Sequence, residues 1–161
     1  MLKFKHYFTT LLCLIILSGC GFKPIHKLSD NSNSLSFLAE ITNSVSREIV
    51  EEVNDNLFQS DNKEYKAQLT ISEDSTPLII NTNGTVAKYR IEIEINYKLV
   101  KIGTNEVISE GTTRGSAQYD VVDSEISNED TRKNMTKIAT KNALQIMISR
   151  IQSSIIQLND N

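Results

Sequence analysis

The stretch from Thr85 to about Lys101 constrains the fold more than any other part of the chain. Ala87, Tyr89, Ile91, Ile93, Ile95, Tyr97 and Leu99 take every second position, with Lys88, Arg90, Glu92, Glu94, Asn96 and Lys98 between them. Successive side chains of a strand point to opposite faces, so the pattern predicts one long strand with a dry face and a wet face. Such a strand needs neighbours and a cover. Tyr65, Ala67, Leu69 and Ile71 alternate in the same way with Lys66, Gln68, Thr70 and Ser72, predicting a second half-buried strand. Leu35, Phe37, Ala39 and Ile41 predict a shorter first one. A turn-rich piece with Pro77 and Asn83-Gly84 separates the second strand from the long one. Ile102-Gly103-Thr104-Asn105 reads as a hairpin turn, and Glu106 to Tyr119 as the partner strand. Gly111 and Gly115 mark a bulge or a close approach there, and the expectation is that this strand bends.

Two segments have a helical period instead. Between Thr42 and Ser60, Val45, Ile49, Val53 and Leu57 recur every four residues. Thr42-Asn43-Ser44 offers capping side chains at its start and Asp61-Asn62 its close. From about Ser127 to Leu158, Thr140, Leu144, Met147, Ile148, Ile151, Ile155 and Leu158 share one broad face, with Glu129 and Asp130 in the first turn. Met135, Ile138, Ile146 and Ile156 lie roughly opposite. Scattered exposed aliphatics are ordinary, while a partner surface would use the same residues as contacts. The expected fold is α+β, a four-stranded mixed sheet with two helices packed on one face, in the order β-α-β-β-β-α. The first crossover allows parallel pairing with a right-handed connection. Residues 35–161 form a single domain in this reading, with no internal repeat.

The start of the chain carries a different kind of information. Lys3 and Lys5 precede an apolar run from Tyr7 to Leu17, and Leu17-Ser18-Gly19-Cys20 follows. A short apolar run ending in small residues and a cysteine is a lipoprotein signal, residues 1–19, cut before Cys20. The Cys20 thiol then takes a diacylglyceryl group. The run is too short to span a bilayer, which needs roughly twenty apolar residues. Further acylation at Cys20 makes the attachment firm, because each buried methylene adds about 0.8 kcal/mol. Gly21 stands where bacterial lipoproteins kept at the inner membrane often carry Asp, which favours the outer membrane. Residues 20–34 are the lipidated cysteine and its tether. The roughly fourteen tether residues reach at most about 50 Å when extended.

Cleavage leaves Cys20 and His26 as the only cysteine and histidine, so no disulfide forms within the mature chain and stability rests on a core. Of 17 basic residues 15 remain against 20 acidic ones, a formal charge of −5. This balance argues against a nucleic-acid partner. The residue types on which metal centres and most acid-base sites draw are missing from the domain, and Gly84, Gly103, Gly111 and Gly115 stand too far apart for a phosphate loop. The reading is a non-enzyme with no catalytic residues, no metal and no cofactor.

Several strings match a known family. Cys20-Gly21-Phe22-Lys23-Pro24-Ile25, Asn83-Gly84-Thr85-Val86-Ala87-Lys88-Tyr89-Arg90, Tyr119-Asp120, Asn128-Glu129, Ala139-Thr140 and the Ile148 to Ile151 region, in this order of elements, resemble the outer-membrane lipopolysaccharide-assembly lipoprotein family LptE. The resemblance covers nearly the whole mature chain. It implies a domain that sits as a plug in the large β-barrel of the lipopolysaccharide-export machinery, helps that barrel assemble and assists delivery of lipopolysaccharide to the cell surface, one plug per barrel. It also implies a partner for Met135, Ile138, Ile146 and Ile156. A lipopolysaccharide site should offer cations to phosphates, yet Asn81 to Gly84, where family members can place a basic residue, has none. Glu125 to Asp130 has none either. Lys88, Arg90, Lys98 and Arg114 are the remaining candidates, with cross-strand pairing to Glu92 and Glu94 as their alternative role.

Two other readings compete. One is a periplasm-facing lipoprotein that activates a cell-wall synthase, which usually calls for a longer tether. The other is a carboxylate-dependent wall hydrolase, which would need Glu92 or Glu94 buried beside a second acid in a cleft.

Overall fold

The computed structural model describes residues 37–57 and 64–159, with side chains to Gln157. The signal peptide, Cys20, the tether, Leu35, Asp61-Asn62 and the Leu158 side chain lie outside the described residues. Six elements follow in the predicted order: β1 (Phe37–Ile41), α1 (Arg47–Asn56), β2 (Tyr65–Ile80), β3 (Val86–Lys101), β4 (Val107–Asp120) and α2 (Glu125–Asn159). The strands form one mixed sheet in the order β1-β2-β3-β4. β1 runs parallel to β2 across the α1 crossover, while β2–β3 and β3–β4 are antiparallel hairpins. This is the α+β arrangement that the alternating and helical periods predict, with both helices on one face.

The alternation of β3 becomes the centre of the core. Ile91, Ile93, Ile95 and Leu99 are fully buried, together with Ala67, Leu69 and Ile71 of β2 and Ile49 and Val53 of α1. From α2, Ala139, Ala143, Leu144, Met147, Ile151 and Ile155 close the same cluster. Burying one such isoleucine or leucine contributes about 1.5–3 kcal/mol, and the sheet, α1 and α2 all supply residues to this one cluster.

β2 runs on through the piece expected to be turn-rich. β1 pairs only with Tyr65 to Leu69, so the distal half of β2 has an edge with no strand neighbour, where a proline is tolerated. Pro77 pairs with Tyr89, and the register slips on either side of Ile79. The true turn is confined to Asn81–Thr85, where Gly84 takes φ +86° and donates to the Asn81 carbonyl at 2.9 Å.

Thr42 and Asn43 do not cap α1. The Thr42 amide donates to the Leu69 carbonyl at 2.8 Å. The Asn43 side chain accepts from the Ile71 amide at 3.0 Å and donates to the Ile71 carbonyl at 2.7 Å. These side-chain and backbone groups prolong the pairing of β1 with β2, so the helix starts later, after Ser46, and ends at Asn56. α2 starts two residues before the expected Ser127, with the Ser124 hydroxyl accepting from the Ser127 amide at 3.4 Å.

β4 does not bulge at its glycines. Its register with β3 is unbroken from Asp120 to Ser109, and the one slip falls between Leu99 and Val100. Gly111 and Gly115 are close approaches instead, the first to the Tyr97 ring and the second to the α2 backbone. Between them Thr113 is buried and its hydroxyl has no hydrogen-bond partner. A buried unsatisfied hydroxyl costs about 1–3 kcal/mol, and valine has the same shape. T113V is therefore expected to raise stability by about 1 kcal/mol in urea unfolding; an unchanged or lower midpoint would show that the hydroxyl finds a water.

Candidate partner and lipopolysaccharide surfaces

The wet face of the sheet carries all four cations singled out in the sequence, and the register divides them into two kinds. Glu94 and Arg114 are direct cross-strand partners, and Arg114 Nε donates to Glu94 Oε2 at 2.8 Å while lying 3.8 Å from Glu92 Oε1. The hydrogen bond from Arg114, helped by one from Asn96, holds the Glu94 carboxyl below its usual range. Lys88 is paired with Asp120 across the same strands at 3.1 Å. Arg90 and Lys98 have no ionic or hydrogen-bonding partner among the described residues. Arg90 stands between Thr76 and Gln118, and Lys98 between Gln68 and Glu110. Of these four, they are the two free to meet an anionic ligand.

Glu92 and Glu94 share a guanidinium on an open sheet face rather than meeting a second acid in a cleft. A polar groove between α1 and the start of α2 is lined by Arg47, Glu48, Glu51, Asp130, Lys133 and Lys137. Its central carboxylate, Glu51, accepts from Lys137 at 2.8 Å and from Arg47 at 2.6 Å. Those bonds lower the Glu51 pKa, and Glu51 in turn raises that of Lys137. Oppositely charged groups of the two helices thus pair across the groove, an exposed contact of small energetic weight. No group of side chains suited to a metal ion occurs among the described residues. No described helix is long and apolar enough to cross a membrane.

The four apolar residues proposed on the back of the last helix do not act together. Met135 is partly buried and packs against the core, so it leaves the group. Ile138, Ile146 and Ile156 are 45%, 41% and 55% exposed. At about 100° per residue Ile138 and Ile156 point the same way but sit about 27 Å apart along the axis, and Ile146 is turned about 80° from both. They are three separate apolar points on a polar surface.

Exposed apolar residues also occur outside α2 and in its first turn. Leu78, Ile79 and Ile80 of the β2–β3 hairpin are exposed, as are Val122 and Ile126 after β4. The Val121 amide donates to the Ala87 carbonyl at 2.9 Å and ties the β4–α2 connection to the turn end of that hairpin. The Asn128 side chain brackets Val122, accepting from its amide at 2.9 Å and donating to its carbonyl at 2.7 Å. Tyr89 and Tyr119 stack at 5.7 Å on the helix-covered side nearby, and burial raises the Tyr119 pKa. The available signal was the charge-free run between Asp74 and Lys88.

Comparison with known proteins gives this arrangement a context. The model of the LptE family, described as lipopolysaccharide-assembly, matches residues 27–158. Among solved structures, rare lipoprotein B of Shewanella oneidensis shares the fold with a TM-score of 0.57 at 14% identity, over 78% of this chain and 99% of that one. A lipoprotein B from Nitrosomonas europaea aligns with a TM-score of 0.53 at 13% identity, covering 80% and 91% of the two chains. A minor lipoprotein from Acinetobacter baumannii aligns with a TM-score of 0.52 at 11% identity, covering 73% and 91%. No curated protein sequence matches the chain. At these identities the structures speak for the fold alone, whereas the family match takes in every strand and helix described above: the chain belongs to the lipopolysaccharide-assembly family LptE.

Proposed function

We propose that this chain is an outer-membrane lipoprotein, exported under residues 1–19, cut before Cys20 and anchored there by lipid, whose domain docks inside the large β-barrel that passes lipopolysaccharide to the cell surface. In that place it assists assembly of the barrel and delivery of lipopolysaccharide. The observation that carries the reading is the match to the LptE family across residues 27–158, preceded by the Leu17-Ser18-Gly19-Cys20 signal.

The geometry supports a binding role. The wet face of the sheet offers two cations without a partner among the described residues, Arg90 and Lys98, for phosphate groups, and Leu78, Ile79, Ile80, Val122 and Ile126 are exposed aliphatics for a partner or for acyl chains. A tether of about 50 Å at most keeps the domain next to its own membrane, which suits a membrane-embedded partner better than a synthase across the periplasm.

The test is photo-crosslinking in the native envelope, with reactive residues placed at Ile138, Ile156 and Ile79 one at a time. Capture of the lipopolysaccharide-export barrel at Ile79 or at either α2 position is the expected result. A peptidoglycan synthase captured at the same positions would replace the barrel reading by the cell-wall one. In the same cells the intact chain is expected to carry the mass of a diacylglyceryl group on Cys20 and C20A to lack it; an intact chain with unmodified Cys20 would overturn the lipid anchor.

A further inference from the structure

The hairpin tip presents an Asn-Gly pair whose side-chain oxygen is held by two donors. Asn83 Oδ1 accepts twice from Thr85, from its amide at 3.1 Å and from its hydroxyl at 2.7 Å. The Thr85 hydroxyl is itself the acceptor of a bond from Asn81 Nδ2 at 3.0 Å. A donor chain of this kind polarises each bond in turn, and here it ends on the carbonyl oxygen of the Asn83 side chain. Asn83 Nδ2 has no partner among the described residues. Gly84, at φ +86° with open space around it, brings no side chain to hinder approach to its amide nitrogen.

We propose that Asn83 is a self-modifying position: the Gly84 amide nitrogen attacks the Asn83 side-chain carbonyl carbon, ammonia leaves, and water opens the resulting succinimide to aspartate or isoaspartate. The bond formed is Gly84 N to Asn83 Cγ, and the bond broken is Cγ to Nδ2. The Gly84 amide proton is lost to solvent and Nδ2 departs with a proton taken from it. Water then adds hydroxide to one ring carbonyl and returns a proton to the nitrogen, so no oxidant or reductant is needed.

Thr85 is what sets this turn apart from a bare Asn-Gly. Negative charge develops on Asn83 Oδ1 in the tetrahedral intermediate, and the two Thr85 donors already point at that atom. This is the arrangement by which fixed donors stabilise an oxyanion, weakened here by solvent exposure. The amide of Gly84 must leave the Asn81 carbonyl to react. The product puts a carboxylate into a stretch that carries no charge between Asp74 and Lys88, so the hairpin turn gains a negative charge with age.

The experiment is a time course on the full chain purified in detergent, kept folded in mildly alkaline buffer. Peptide mapping by mass spectrometry follows the amide-to-acid shift and isoaspartate at Asn83. The folded chain is expected to react at least as fast as the chain unfolded in urea. T85V should slow the reaction about threefold, a small part of what one such donor contributes in a dry site, and N83Q should remove the product from this peptide. Thr85 is exposed in the turn, so T85V leaves the core intact. Slower reaction in the folded chain than in urea, or an unchanged rate in T85V, would overturn the proposal.

Discussion

G115A is expected to destabilise the domain by about 3 kcal/mol, the upper part of the range for an overpacked core, seen as a large fall in the urea midpoint. A Cβ at this position would lie 2.1 Å from the Ala139 carbonyl oxygen and 2.5 Å from the Ala143 nitrogen, both in the α2 backbone. Neither atom can rotate away as a side chain could. The helix would have to lift from β4, and Ala139, Ala143, Leu144 and Met147 would lose contact with the sheet together. Against a total stability of about 5–15 kcal/mol, such a loss decides whether the domain accumulates. G111A is the control, because its Cβ would meet the end of the Tyr97 side chain at 3.1 Å, which can shift. Its cost should stay near 1 kcal/mol. Gly115 does not have a positive φ, unlike Gly84 and Gly103, so a large effect of G115A reports the spacing of helix and sheet rather than backbone strain. Equal costs for G111A and G115A would mean that the α2–β4 spacing is elastic.

Periodicity was readable wherever the packing on one face repeats. β3 alternates because one of its faces is buried from Ile91 to Leu99, and α2 is read from the same cause at the helical period. Where a residue type serves two structures, the sequence was ambiguous. Thr42 and Asn43 have the groups of a helix cap and equally those needed to continue a strand pair, and the choice depends on where Ile71 lies. Pro77 argued for a turn because the short reach of β1 was not visible locally. The four cations of the wet face could be named from the sequence. Their division into paired Lys88 and Arg114 and unpaired Arg90 and Lys98 follows from the β3–β4 register, which sets Lys88 opposite Asp120 and Arg114 opposite Glu94. Met135 lies opposite the main apolar face on the helix wheel and yet packs against the core, a contact that helical periodicity alone does not show.

The largest polar anchor of the fold was missed for a related reason, and E73A is expected to destabilise the domain by about 2 kcal/mol, as for loss of a charged hydrogen-bond acceptor. Glu73 takes the inward position that follows Ala67, Leu69 and Ile71 on β2, where Ser72-Glu73-Asp74 reads as the end of a strand. Its Oε1 accepts from Arg132 Nη1 at 3.2 Å and from the Thr136 hydroxyl at 3.0 Å, both on α2. Its Oε2 accepts from the Ser46 hydroxyl at 3.3 Å, at the start of α1. One carboxylate thus joins the sheet to both helices, with its side chain 22% exposed and that of Arg132 35% exposed. Thr136 is 1% exposed, so alanine at 73 strands a buried hydroxyl as well as half of an ion pair. E73Q keeps an acceptor for Thr136 and loses only the charge, so it should cost less than half as much as E73A. The Arg132 contribution is separated by the E73A/R132A cycle, because Arg132 also binds Glu129 at 3.1 Å and keeps that partner in the single variant. A cost below about 0.5 kcal/mol for E73A would put this cluster with ordinary surface ion pairs, and the first turns of α2 would then be held to the sheet by apolar packing alone.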